Sequence, residues 1–137
     1  MFNNNNKVAF NLLIAGGREF VDYFKLKEAV HSSLRELQVR APITIISGGA
    51  RGADKLGETY AEAHGHRCAV YPADWDKLGK SAGYIRNATM GEVADAAVIF
   101  WDGSSRGTKN MISVMKRLGK PVHVYNYEGV INNDPLG

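Results

Sequence analysis

Ile43-Thr44-Ile45-Ile46-Ser47 runs without a break into Gly48-Gly49-Ala50-Arg51-Gly52-Ala53-Asp54. The first four residues are apolar or β-branched, as expected of a strand buried on both faces. The glycines let the chain turn sharply at its end. Leu56, Tyr60 and Ala61 then share one face of a helix, and Gly65 suits the C′ position that closes it. This strand–loop–helix unit sets the pattern for the rest of the chain.

Upstream, the apolar segment Val8 to Ile14 enters Gly16-Gly17, and Leu26, Val30, Leu34 and Leu37 recur at helical spacing behind an N-cap at Asp22. Downstream, Cys68-Ala69-Val70-Tyr71 reads as a short strand closed by Pro72, followed by a helix from Ala82 to Ala94. Ala96 to Trp101 is a continuous apolar strand, and Met111, Ile112, Met115 and Leu118 mark a last helix closed by Gly119 and Pro121. Val122 to Tyr125 is a final strand. Apolar strands alternating with amphipathic helices specify an α/β chain. Right-handed crossovers then lead to one Rossmann-like, three-layer domain. Its five-stranded, mainly parallel sheet has the order 3-2-1-4-5 and carries helices on both faces. The 137 residues hold one core and not two. No linker or repeat divides 1–137, and 1–6 and 128–137 are expected to be loose tails.

The formal net charge is +3, with 45% apolar and 23% charged residues, too mild a surplus for an extended nucleic-acid groove. The single cysteine, Cys68, has no intrachain partner, which fits a reducing compartment, and its apolar neighbours suggest a small buried hydrophobe. No signal-peptide order opens the chain, and no apolar run approaches the roughly 20 residues that span a bilayer. A soluble, cytoplasmic protein without membrane contact is expected. No histidine or acid cluster near Cys68 has metal-ligand spacing, so no metal and no required cofactor is expected.

Open parallel sheets bind ligands beyond the carboxyl ends of their strands, where the strand order reverses. Three segments leave strands 1, 2 and 4 at that point. They are Gly16-Gly17-Arg18-Glu19-Phe20, Ser47 to Asp54, and Asp102-Gly103-Ser104-Ser105-Arg106-Gly107-Thr108. A glycine loop alone is an ordinary strand-to-helix turn. Three of them, each with an arginine, form an anion site: backbone N–H groups and helix N-termini face phosphate, and guanidinium groups bind it bidentately. Neither the Walker lysine motif nor the dinucleotide fingerprint is present. A bulky residue at Gly49 or Gly52 is expected to block the anion and leave the fold largely intact.

The connection after strand 3, Pro72-Ala73-Asp74-Trp75-Asp76 through Gly79-Lys80-Ser81-Ala82-Gly83-Tyr84-Ile85-Arg86-Asn87, is long enough to cover that site. Arg86 and Asn87 fall in the first turns of the third long helix and are candidate ligand contacts. Asp74 and Asp76 are read first as turn and capping residues. Trp75 and Trp101 either pack in the core or, at a strand end, stack on a base.

Gly16-Gly17-Arg18, Ser47 to Asp54, Pro72-Ala73-Asp74-Trp75, Arg86-Asn87 with Met90, and Gly103 to Thr108 together resemble the SLOG superfamily, most closely its YspA-like branch. The resemblance runs from about Leu12 to Tyr125. It implies a Rossmann-like fold that binds nucleotides or nucleotide-derived, ADP-ribose-like molecules. More distant likenesses are to the Lonely Guy phosphoribohydrolases and to DprA-type proteins that bind single-stranded DNA. The phosphoribohydrolases carry a catalytic glutamate three residues beyond the threonine of a Gly-Thr pair. Here Gly107-Thr108 is followed by Lys109-Asn110-Met111, and a methionine cannot polarise water. Asp54 and Asp74 are the main candidate carboxylates for that role, with Asp102 and Glu19 behind them.

The leading expectation is a binding module for a small nucleotide-like molecule: a sensor, carrier or sink. A nucleotide N-glycosidase or phosphoribohydrolase is the first alternative. A single-stranded nucleic-acid binder is the second, with Arg18, Arg51, Arg86, Arg106, Lys80 and Lys109 beside Trp75 and Trp101. A homo-oligomer is compatible with the chain, but no surface in the sequence announces an interface.

Overall fold

A computed structural model describes residues 9–132. The glycine-terminated unit appears first as β1 (Phe10–Gly16) and α1 (Tyr23–Glu36), then as β2 (Ile43–Ser47) and α2 (Ala53–Ala63). Then follow β3 (Arg67–Val70), a short α3 (Trp75–Leu78) with a 3₁₀ turn, α4 (Ala82–Val93), β4 (Ala96–Phe100), α5 (Arg106–Arg117), β5 (Val122–Tyr125) and β6 (Ile131–Asn132). The order across the sheet is β3-β2-β1-β4-β5-β6. The first five strands run parallel in the expected 3-2-1-4-5 order, and β6 adds one short antiparallel strand at the edge.

Alternate residues of β1 feed two cores. Leu12 and Ile14 pack with Phe20, Leu26, Val30 and Tyr60 under α1 and α2. Leu13 and Ala15 pack with Met90, Met111, Ile112 and Met115 under α4 and α5. Leu12, Leu13 and Ile14 are all 0% exposed, which explains why the centre of this strand is continuously apolar instead of alternating. The expected caps are present: the Asp22 side chain accepts from Lys25 N, and Gly65 takes φ +71° just beyond α2.

The expectation of a buried Cys68 is corrected: it is exposed. β3 is the edge strand, paired only with β2, and the layers of helix centre on β1 and β4. Val70 on the same strand is 46% exposed. A short apolar run gives no sign of whether its strand is central or at an edge. The expected tail from 128 also differs as far as the structure reaches. Asn126 Oδ1 accepts from Glu128 N and Val130 N, turning the chain into β6. Residues 1–6 and 133–137 lie outside the described residues. Among the described residues, no helix is long and apolar enough to cross a membrane.

Candidate functional site

The carboxyl ends of β1, β2 and β4 open onto a cavity of about 430 Å³. From the β1 loop, Gly16, Gly17, Arg18 and Glu19 all line it. Phe20 anchors this loop from below, stacked on Phe100 with ring centroids 4.2 Å apart. With Phe20 buried, Arg18 and Glu19 stay exposed at the mouth. A Cβ at Gly16 would run into the Phe100 carbonyl and stand 2.9 Å from Ala53 Cβ, so only glycine fits there.

From the β2 loop only Ala50 and Asp54 reach this cavity. Ser47 is buried beneath the loop, where its hydroxyl donates to Glu58 (2.8 Å) and accepts from Gly49 N (3.1 Å). Gly52 is the N-cap of α2 at φ +83°, and its helix has no side-chain cap. A Cβ here would collide with the Gly17 carbonyl and come within 2.6 Å of the Arg18 backbone. Ala53 N also donates to Gly17 O (3.2 Å), so the β1 and β2 loops are locked together. The expectation that a bulky residue at Gly52 leaves the fold intact is therefore corrected. The position is a backbone crossing, not free loop surface.

The β2 loop already holds an anion, a carboxylate of its own chain. Asp54 is buried, and its Oδ2 accepts from Ala50 N (3.2 Å). Burial pushes its pKa up to about 6, although the Ala50 amide, the neighbouring Arg86 and the Gly16 amide all favour the charged form. Gly48, Gly49 and Arg51 face a separate cleft beside the first, and Arg51 Nη2 pairs with Glu19 Oε2 at 3.2 Å.

The β4 loop is arranged differently. Asp102 Oδ1 accepts from Ser104 N and Ser105 N, both at 2.8 Å, and these bonds hold its carboxyl below the usual range. Gly103, at φ +90°, makes the turn. Ser105 is the N-cap of α5, and its Oγ accepts from Thr108 N. Asp102, Ser105, Gly107 and Thr108 line the cavity, whereas Gly103, Ser104 and Arg106 do not. Among the described residues nothing lies within 4 Å of where a Cβ on Gly107 would stand. The first turn of α5, with its positive dipole end, therefore leaves open space beside Gly107, while the Thr108 amide is taken by the Ser105 cap.

α4 supplies the opposite wall. Arg86 lines both cavities, donating from Nη1 to Gly48 O (2.8 Å) and from Nε to Asn87 Oδ1 (3.1 Å). Asn87 is buried and donates to Asn110 Oδ1 (2.9 Å) and Gly107 O (3.3 Å), fixing α4 against the start of α5. Trp75 is 51% exposed and also lines both cavities. Asp74 lines neither; its carboxylate accepts from Lys77 N as the N-cap of α3, the capping role read from sequence. Trp101 is partly buried and donates from Nε1 to Ser105 O (3.0 Å), so its role is packing.

Lys80, considered in the sequence only for a nucleic-acid groove, lines the cavity, and two of its aromatic lining residues, Tyr84 and Tyr127, had been assigned no role. Lys80 and Tyr84 lie on the connection expected to cover the site. Tyr127 follows β5, packs edge-on to Phe20 (centroids 5.3 Å apart) and sets its hydroxyl against Gly17. Its only sequence signal is an aromatic two residues past a strand end. Met111, where the phosphoribohydrolases carry their acid, is buried in the cavity wall. Among the described residues, no group of three or more His, Cys, Asp or Glu side chains is placed to hold a metal ion.

Comparison with known proteins supplies the remaining findings. A family model described as the YspA, cpYpsA-related SLOG family matches residues 10–78. The Gene 61 protein of Mycobacterium phage D29 is 32% identical over 119 residues, covering 81% of this chain and 92% of that protein. No solved structure matches.

Proposed function

We propose a function from a fixed premise: this chain belongs to the YspA, cpYpsA-related SLOG family. It is a cytoplasmic binding module for a phosphate-bearing nucleotide or a nucleotide-derived, ADP-ribose-like molecule, acting as sensor, carrier or sink. The observation that carries this reading is the open first turn of α5, where Ser105, Gly107 and Thr108 face a cavity that Arg18, Lys80 and Arg86 also line. Phosphate seats there on backbone amides and the helix dipole, with guanidinium groups completing its shell. Trp75, Met90 and Met111 give the same cavity the apolar surface that a base and sugar need. Arg106, outside this lining, adds only long-range charge.

One observation favours a second reading, hydrolysis of a nucleotide N-glycosidic bond. Asp54 is a buried carboxyl in the cavity wall with a pKa of about 6, a value suited to proton transfer near neutral pH. Met111 weighs against it, standing as an apolar group where the resemblance to the phosphoribohydrolases implies an acid. The test is to incubate the protein with nucleoside phosphates and ADP-ribose, reading melting temperature and, by chromatography, products. Stabilisation without product supports the module. Release of free base that disappears in Asp54→Asn establishes the enzyme, and no effect from any compound refutes both.

A further inference from the structure

The second cleft, of about 300 Å³, opens between the β2 loop and the connection into α3. It shares Arg18, Ala50, Trp75 and Arg86 with the main cavity, whereas Arg51 and Ala73 belong to it alone. Its charged lining consists of three arginines and no carboxylate. The main cavity, by contrast, carries Glu19, Asp54 and Asp102. Arg86 is held in place by the Gly48 carbonyl and is attracted by Asp54 behind the cleft, while Arg18 repels it. Glu19 reaches Arg51 only through an ion pair whose side chains are 68% and 79% exposed. Such a pair contributes little and yields readily to a multiply charged anion. Three like charges around an open cleft lower the cost of bringing in a compact anion and fix its position by bidentate bonds.

We propose that this cleft is a second anion subsite, which takes a second phosphoryl group of a nucleotide whose first phosphoryl group lies in the main cavity. The proposal rests on the nucleotide reading above and narrows it to ligands carrying two phosphoryl groups, as in nucleoside diphosphates. Trp75, Arg18 and Arg86, common to both cavities, stand at the junction between the two groups.

The experiment is calorimetry at low ionic strength with nucleoside monophosphates and the matching diphosphates. It uses the parent protein, Arg51→Ala and Ala73→Glu, with melting curves to confirm that each variant is folded. Diphosphates are expected to bind the parent about tenfold more tightly than monophosphates, the scale of one added charged hydrogen bond. Each variant is expected to weaken diphosphate binding by about fivefold or more, Arg51→Ala by losing a cation and Ala73→Glu by adding an anion, with monophosphate affinity kept within about twofold. Equal affinity of the parent for both classes overturns the proposal, as does equal weakening of both in the variants. If the parent binds neither class, the nucleotide reading itself fails and the subsite falls with it.

Discussion

The loops after β2 and β4 look alike in sequence: each is glycine-rich, contains an arginine and leads into a helix. In the structure they do opposite things. The β2 loop is closed, its Ala50 amide bonded to Asp54 and its Gly52 wedged against the backbone of Gly17 and Arg18. The β4 loop is capped by Ser105 and leaves Gly107 facing open space. A glycine in one loop serves the meeting of two backbones, and a glycine in the other borders open space. The lesson is that a glycine-rich turn marks a close approach without saying what approaches.

The contrast can be broken most forcefully at Gly52. Gly52→Val forces a branched side chain into a positive-φ conformation and against a neighbouring carbonyl. It is expected to cost on the order of 4 kcal/mol of folding stability, read by chemical denaturation. Unchanged stability would mean that the two loops are not locked.

The next effect is the pH dependence set by Asp54. Its pKa rises from 3.8 to about 6 on folding, so the folded state binds its proton more tightly than the unfolded chain does. That stability is fully present below about pH 4 and is lost as the pH rises through about 6. The linked change is on the order of 3 kcal/mol. Asp54→Asn should remove this slope from a series of denaturation curves, and a slope that persists would assign it to another group.

At the open loop the expected effect is on binding. Gly107→Val should weaken nucleotide binding by about tenfold or more while the fold remains, because the side chain would enter the space assigned to phosphate. Calorimetry beside a melting curve separates the two effects. The smallest change is the loss of one cap: Ser105→Ala is expected to cost about 1 kcal/mol of stability. A neutral result would show that the start of α5 is held by Asn87 instead.

Much of this was legible in the sequence, and the remainder has physical reasons. Strands β1 and β4 announced themselves because burial on both faces makes β4 and the centre of β1 continuously apolar, and α1 because Asp22 and its apolar spacing agree. α3 did not, since four residues carry no helical period. β6 did not, since two residues carry no alternation. The converging β1 and β4 loops were readable from glycine and topology together. The burial of Asp54, the exposure of Cys68 and the approach of Tyr127 to Gly17 depend on packing between segments distant in sequence, and no local pattern records them.

The most direct measurement is a titration of backbone amide resonances with whichever of AMP, GMP, CMP or UMP most raises the melting temperature. The expected result is that the largest shifts fall on Ser105, Gly107 and Thr108, with smaller ones at Gly17 and Arg18 and little change at Gly49 and Gly52. Dominant shifts across residues 48–52 with the start of α5 unmoved would contradict the assignment and return the phosphate to the β2 loop.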